Sequence, residues 1–223
     1  MKAKRLFRLT CLILVVTLAG PALAAGVSPA QEEDGPKALP VETIAAWALT
    51  GYLLANDPAV TAGVKGRLAS PAADSLMPKV TMLGEAPGVV GVVGGLYVAG
   101  EQETAGEALA AAVYSGLLTT GLKWAVGRGR PDSNAPNSVH YLGGRPGSDS
   151  FPSGHTAEAF ALARVLARRY PKQRYLFYAA AGAVGLSRIY LDRHWAGDVA
   201  AGALIGVYSA GHAGSLPVLR FTF

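Results

Sequence analysis

Three short clusters of polar residues stand out in a chain that is 51% hydrophobic and only 16% charged. They read, in chain order, Lys123-x6-Arg130-Pro131, Pro152-Ser153-Gly154-His155 and Ser187-Arg188-x5-His194-x3-Asp198. Together they supply cations, histidines and a carboxylate. Such groups can bind an anion, attack an electrophile and transfer a proton.

The cations are Lys123, Arg130 and Arg188, each near the end of a predicted apolar helix. The fork of an arginine and the point charge of a lysine both match the oxygens of a phosphate. Ser153 and Gly154 lie where a loop is predicted to turn into a helix. Free backbone N–H groups and the helix dipole favour an anion there, and glycine permits its close approach. These residues predict a phosphate-binding site.

The two histidines have separate predicted roles. His194 and Asp198 are spaced i and i+4, so on a helix covering 194–210 they would share a face. A carboxylate that accepts from one ring nitrogen fixes the tautomer and leaves the other nitrogen as a nucleophile. His155 begins another predicted helix beside the anion site, where it is placed to protonate a leaving oxygen.

Each cluster taken alone has a simpler interpretation. A lone arginine at a helix end is usually a solvated or capping cation. A lone His-x3-Asp is usually a surface pair worth a few tenths of a kcal/mol. Pro-Ser-Gly alone is a turn before a helix. The functional interpretation depends on all three clusters occurring together, in order, with every chemical role filled.

The clusters resemble the signature of the type 2 phosphatidic acid phosphatase and vanadium haloperoxidase superfamily, which reads K-x6-R-P, P-S-G-H and S-R-x5-H-x3-D. Every signature position is matched, and the likeness covers roughly residues 85–210. The resemblance implies that His194 attacks phosphorus, that Asp198 orients it, and that His155 is the general acid that later helps to activate water. It also implies a phosphoryl cradle made by Lys123, Arg130, Ser153, Gly154 and Arg188.

The resulting prediction is a metal-independent phosphatase without a cofactor. It would hydrolyse phosphate monoesters through a phosphohistidine, with a lipid phosphate or pyrophosphate favoured over a soluble ester. Three cations at one place argue against a metal site. A vanadium haloperoxidase and a non-catalytic envelope protein of the same fold remain alternatives. A serine hydrolase using Ser153 is less consistent, because the chain has no Gly-x-Ser-x-Gly elbow.

The expected fold is an all-α bundle of five to six helices with a long active-site loop. The predicted helices cover residues 42–55, 88–99, 105–126, 153–169, 173–190 and 194–210. Asn56-Asp57-Pro58 is expected to end the first, and an irregular stretch with three prolines to follow it. Residues 127–152 are too rich in Gly, Pro and Ser for a helix. Close helix approach is predicted at Gly182, Gly185, Gly197, Gly202 and Gly206.

The N-terminus resembles a secretory signal peptide over residues 1–24, with a basic start, a short apolar run and an Ala-Leu-Ala cleavage site. A flexible exported tail (25–39), a helical phosphatase domain (40–214) and a C-terminal tail or short strand (215–223) are expected to follow. The chain carries +5, and four cations leave with the signal, so the mature charge is +5 − 4 = +1. No nucleic-acid partner is indicated. We expect membrane association and a site facing the periplasm, with oligomeric state left open.

Overall fold

The computed structural model describes residues 41–140, 142 and 147–213, and these form a helical bundle. The predicted signal peptide, exported tail and C-terminal segment 215–223 lie outside the described residues. The seven α-helices of the described part are α1 (Val41–Leu68), α2 (Pro71–Val80), α3 (Ala86–Val98), α4 (Gln102–Val126), α5 (Gly154–Arg169), α6 (Arg174–Tyr190) and α7 (Ala196–His212). Two short 3-10 helices, Thr81–Gly84 and Pro171–Gln173, connect neighbours. The all-α class is confirmed, with no strand in these ranges.

The N-terminal part is more helical than the sequence predicts. Helix α1 continues through Pro58 for another ten residues, so the expected stop there is wrong. A proline inside a helix loses one backbone hydrogen bond and costs about 3 kcal/mol. The side chains of Asp57 and Thr61, on either side of that proline, accept hydrogen bonds from the first residues of α7. Docking against α7 offsets the local cost.

The stretch expected to be irregular contains α2, which brings the number of α-helices above the predicted five to six. The Ser70 hydroxyl caps this helix by accepting a 3.1 Å hydrogen bond from the Ala73 N–H. Pro71 occupies the first helical position, where the absent N–H is not needed. Pro71 therefore marks where the helix begins, whereas Pro78 lies inside it.

Helix α5 lies at the centre of the bundle and packs against α4, α6 and α7. Its contact with α7 depends on glycine. A Cβ at Gly206 would lie 2.2 Å from the Ala157 carbonyl oxygen, and one at Gly202 would lie 2.5 Å from that of Ser153. Close approach is likewise confirmed at Gly185 and Gly197. The prediction is wrong at Gly182, where an added Cβ would meet nothing within 4 Å.

The loop between α4 and α5 begins at Gly127, whose positive φ of 57° ends α4. It then folds back on itself. The Gly129 N–H donates to the Ser138 carbonyl at 2.8 Å, and the His140 N–H donates to the Gly127 carbonyl at 2.9 Å. The Ser150 N–H, near the other end of the loop, donates to the Arg128 carbonyl at 2.9 Å. This segment is irregular, as predicted, and its described part is tied together by backbone hydrogen bonds.

Candidate active site

His194 lies in the turn between α6 and α7, so the prediction that it shares a helix face with Asp198 is wrong. Helix α7 begins two residues later because the Asp198 carboxylate accepts a 3.0 Å hydrogen bond from the Trp195 N–H and caps it. The two side chains are nevertheless neighbours, with His194 Nδ1 3.8 Å from Asp198 Oδ2. That separation permits an electrostatic interaction and is too long for a hydrogen bond.

A backbone carbonyl fixes the tautomer of His194. Its Nδ1 lies 2.7 Å from the carbonyl oxygen of Ser150. A carbonyl can only accept, so Nδ1 carries the proton and Nε2 keeps its lone pair. The ring is 1% exposed. Burial lowers the pKa of His194 to about 4 against the raising effect of Asp198, and the charges of Lys123 and Arg188 lower it as well. The imidazole is therefore neutral at physiological pH.

Asp198 is fully buried and accepts three hydrogen bonds. Besides the Trp195 N–H, its donors are Arg128 Nη1 at 2.6 Å and Ser150 Oγ at 2.5 Å. Burial alone would raise the pKa of Asp198, but Arg128, His194 and the Ser150 hydroxyl hold it well below its usual range. The carboxylate thus stays charged beside His194 and positions the turn that carries it.

His155 lies in the first turn of α5, at the part of the site formed by the 3-10 helix Thr81–Gly84. Its Nε2 is 3.1 Å from Oε1 of Glu85. The backbones touch too, since a Cβ at Gly84 would lie 2.7 Å from the His155 carbonyl oxygen. Burial and the charge of Arg188 lower the pKa of His155, and Glu85 opposes them. The pKa of His155 is therefore lowered overall, although its own carboxylate partner, Glu85, raises it.

The three cations come from different elements: Lys123 from the last turn of α4, Arg130 from the loop and Arg188 from the last turn of α6. Asp149 joins the first two, because its carbonyl accepts from Lys123 Nζ and its Oδ2 accepts from Arg130 Nη2 at 2.6 Å. Arg188 Nη1 donates to Thr81 Oγ1 at 2.7 Å. Burial, followed by repulsion from Arg130, lowers the pKa of Arg188 to about 10.

The Nε atoms of Arg130 and Arg188 are both buried and have no hydrogen-bond partner within the described part of the chain. A buried donor without a partner costs about 1–3 kcal/mol. Such groups are rare in folded proteins and call for a specific explanation. The Nε groups of Arg130 and Arg188 lie in one cation cluster. They are therefore available to donate hydrogen bonds to the oxygens of a bound anion.

The predicted amide site is only partly available. The Ser153 N–H already donates to the Asp198 carbonyl at 3.0 Å, so the expectation that it is free is wrong. The Ser153 side chain contacts Thr156 Oγ1 at 2.9 Å. The Gly154 N–H begins α5 and has no hydrogen bond to another described residue. An added Cβ at Gly154 would lie 3.9 Å from Lys123 Cε, which places this amide beside the cations.

The predicted set omits several residues that support the site, among them Arg128, whose side chain is 4% exposed, and Asp57, which is fully buried. The Arg128 guanidinium contacts Asp198 at 2.6 Å and Asp57 at 2.8 Å, and also donates to Asn137 Oδ1. Glu85 and the Ser150 carbonyl complete the group. Arg128 and Asp57 are charged residues within or next to an apolar segment. Sequence analysis could have singled them out on that pattern.

Two cavities adjoin the site. A polar cavity of about 450 Å³ is lined in part by Arg130, Asp132, His140 and Arg193. Its lining shows that the loop forms one wall beside Arg130. An apolar cavity of about 270 Å³ lies between α3, α5 and α6, with Leu83 of the 3-10 helix at its edge. No group of three or more described His, Cys, Asp or Glu side chains is arranged to hold a metal ion.

The sequence model of the PAP2 superfamily matches residues 104–217. The chain belongs to the PAP2 superfamily. Its sequence is 39% identical over 105 residues to a lipid A 1-phosphatase of Porphyromonas gingivalis, covering 45% of this chain and 21% of that protein. The chain spans less than half the length of the curated relatives it matches.

Two solved structures share the fold. LpxE of Aquifex aeolicus superposes with a TM-score of 0.60 at 23% identity, covering 71% of this chain and 94% of that one. A transmembrane PAP2-type phosphatidylglycerolphosphate phosphatase of Bacillus subtilis gives 0.54 at 24% identity, covering 81% and 98%. Both confirm the all-α architecture.

By length and composition, α4 is the one helix of the described chain that is long and apolar enough to cross a bilayer. A second would be added if α2 with its 3-10 extension and α3, bent by 59°, made a single broken span. The buried core helix of a soluble protein meets the same criterion.

Proposed function

We propose that this PAP2 protein is a metal-independent phosphatase that hydrolyses phosphate monoesters through a phosphohistidine at His194 Nε2. The observation that carries the proposal is the 2.7 Å contact between His194 Nδ1 and the Ser150 carbonyl. It leaves the Nε2 lone pair of a neutral, buried imidazole beside a cluster of cations. Activity of this kind needs no redox group and no metal, because the cations supply the charge.

In the first step the phosphoryl group binds to Lys123, Arg130, Arg188 and the Gly154 N–H. His194 Nε2 attacks phosphorus, forming an N–P bond as the ester P–O bond breaks. His155 gives its proton to the leaving oxygen, which departs as an alcohol. The cation cluster lowers the barrier by stabilising charge that spreads over the phosphoryl oxygens.

In the second step His155, now neutral, accepts a proton from water as the water oxygen attacks phosphorus. The N–P bond breaks, its electrons return to His194 Nε2, and inorganic phosphate leaves. Both histidines end in their starting protonation states, so the cycle closes. Asp198 stays charged throughout and counters the positive charge that the ring carries while it is phosphorylated.

A lipid phosphate is the favoured substrate. Support comes from the name of the Porphyromonas gingivalis relative and from the apolar surface of this chain. Val113, Leu117 and Trp124 lie on α4 and are 40%, 66% and 59% exposed. The apolar cavity beside Leu83 offers space for hydrocarbon close to His155. With the N-terminal signal, these features favour an envelope enzyme whose site faces the periplasm.

The test is a phosphate-release panel of lipid phosphates, lipid pyrophosphates and soluble monoesters, with the purified full chain in detergent. We expect the lipid substrates to be preferred. His194→Ala should lose on the order of 10³-fold or more in kcat. His212→Ala is the matched control, because His212 lies in the last turn of α7, away from the site. Wild-type activity in His194→Ala would overturn the mechanism.

Two further measurements separate this mechanism from others. Acid-labile, base-stable label on His194 after quenching with labelled substrate would identify the phosphohistidine directly. Activity should survive EDTA, and vanadate should compete with substrate. Loss of activity in EDTA that a divalent ion restores would contradict a metal-independent reaction.

A further inference from the structure

Asp57 lies on α1, which precedes the region matched by the family model, yet its side chain reaches the start of α7. Its Oδ1 accepts a 2.6 Å hydrogen bond from the Gly197 N–H, and its Oδ2 is 2.8 Å from Arg128 Nη2. The side chain is fully buried. Burying a carboxylate costs several kcal/mol unless partners compensate it. An uncharged acceptor would dock α1 on α7 more cheaply, so the charge itself requires an explanation.

Asp57 and Asp198 share a single guanidinium. Arg128 contacts both carboxylates, at 2.8 Å and 2.6 Å, and all three side chains are at most 4% exposed. Burial and the charge of Asp198 raise the pKa of Asp57 to about 6, so it is mostly ionised at neutral pH. The trio then carries a net charge of −1. Its nearest titratable neighbour is His194, whose Nδ1 is 3.8 Å from Asp198.

This charge matters for the reaction set out under Proposed function, on which the inference rests. When Nε2 attacks phosphorus, the imidazole gains positive charge, because Nδ1 keeps its proton. If Arg128 paired with Asp198 alone, the pair would be neutral and would do little to stabilise that charge. We infer that Asp57 is a positioning residue for catalysis, which engages Arg128 so that Asp198 retains a negative potential at His194.

The direct test is Asp57→Asn in the full chain, assayed at pH 7, where Asp57 is mostly ionised. Asparagine has the same shape and its amide oxygen can still accept from the Gly197 N–H, whereas its NH2 group replaces the charged oxygen that faces Arg128. We expect kcat and kcat/KM to fall together by about tenfold, the equivalent of roughly 1.4 kcal/mol in barrier height. KM should stay unchanged, because Asp57 does not touch substrate. Tm should change little, since the lower cost of burying an amide offsets the loss of one charged partner of Arg128, which keeps Asp198.

Thr61→Val is the matched control. The Thr61 hydroxyl accepts a 3.2 Å hydrogen bond from the Ala196 N–H, so it joins the same two helices one turn away. Within the described part of the chain, this hydroxyl makes no hydrogen bond with Arg128 or Asp198. If Asp57 only docks α1, the two variants should lose activity alike. If its charge serves catalysis, Thr61→Val should keep wild-type kcat.

A double variant tests the charge count itself. Asp57→Asn/Arg128→Gln removes one negative and one positive charge and returns the trio to −1. We expect it to recover part of the kcat lost in Asp57→Asn. The inference is overturned if the double variant is no more active than the single, if Asp57→Asn has unchanged kcat or fails to fold, or if Thr61→Val loses as much. A wild-type chain that releases no phosphate would instead refute the proposed function.

Discussion

A backbone carbonyl holds His194 in this site, and a carbonyl does not change its protonation state with pH. The tautomer of His194, the proposed nucleophile, should therefore persist over a wide pH range. The carboxylate nearby is left to set the electrostatic potential, at 3.8 Å from the ring. Orientation and charge compensation are thus assigned to two different groups, Ser150 and Asp198.

The pKa values of the histidines predict an acid-shifted optimum. In the proposed reaction His194 must be neutral to attack, and its pKa of about 4 sets the lowest acid limb of kcat/KM. Protonation of Asp57, with a pKa of about 6, should already lower kcat/KM by about tenfold. His155 must be protonated to act as acid, and burial lowers its pKa below 6.5, so kcat/KM falls on the alkaline side below the range of an ordinary histidine. The profile should be measured with correction for the substrate's own ionisation, near pH 6. An optimum above pH 7 would contradict both assignments.

Glu85→Gln separates the two limbs. Glu85 raises the pKa of His155, so removing its charge should move the alkaline limb to lower pH and leave the acid limb in place. Glu103→Gln is the control, because Glu103 is exposed in the first turn of α4 and, within the described ranges, makes no hydrogen bond or ion pair with either histidine. If the alkaline limb does not move in Glu85→Gln, a group other than His155 sets it.

Signature residues could be predicted because the chemistry demands their types, and the spacing keeps them in order. The contacts that support the signature residues could not be predicted. Arg128 meets Asp57 across 71 positions of sequence, and nothing local indicates that pairing. The group that fixes His194 is a backbone carbonyl, which every residue possesses. The position of Asp198 was inferred from helix periodicity, and that failed because the helix begins after His194.

At the scale of elements, the histidines depend on how α5 meets α7. Both helices begin at the site, and their backbones touch through Gly202 and Gly206. Sequence analysis predicted this contact because small residues recur along α7. It did not predict that α1 continues through Pro58, since the hydrogen bonds that hold this helix come from residues far along the chain.

Gly206→Ala should destabilise the protein by about 1–3 kcal/mol, because the new methyl group would lie 2.2 Å from the Ala157 carbonyl oxygen. Gly182→Ala is the matched control on α6. Its methyl group meets nothing within 4 Å, and the change should be neutral or stabilise by up to about 1 kcal/mol. Tm measured by circular dichroism distinguishes the two. Equal Tm values would mean that α5 and α7 can separate without cost.

At the scale of the whole molecule, the apolar exterior predicts contact with lipid. Val98 and Leu117 are 88% and 66% exposed on α3 and α4. Replacing both with lysine should lower partitioning into lipid vesicles and change Tm little, since neither side chain is in the core. Gln102→Lys/Gln173→Lys adds the same charge at positions that are already polar and exposed. If both double variants partition alike, this surface does not contact lipid.

The link between the Ser153 N–H and the Asp198 carbonyl has a consequence for how such a protein changes over evolutionary time. It joins the starts of α5 and α7 through main-chain atoms, which mutation of side chains leaves intact. The walls of the adjoining cavities come from the loop around His140 and from the 3-10 helix at Leu83. Selection can therefore alter the residues of these walls while the reacting atoms keep their geometry. The substrates that such a site accepts would then differ in their leaving groups. One ancestral reaction could in this way diversify over many substrates.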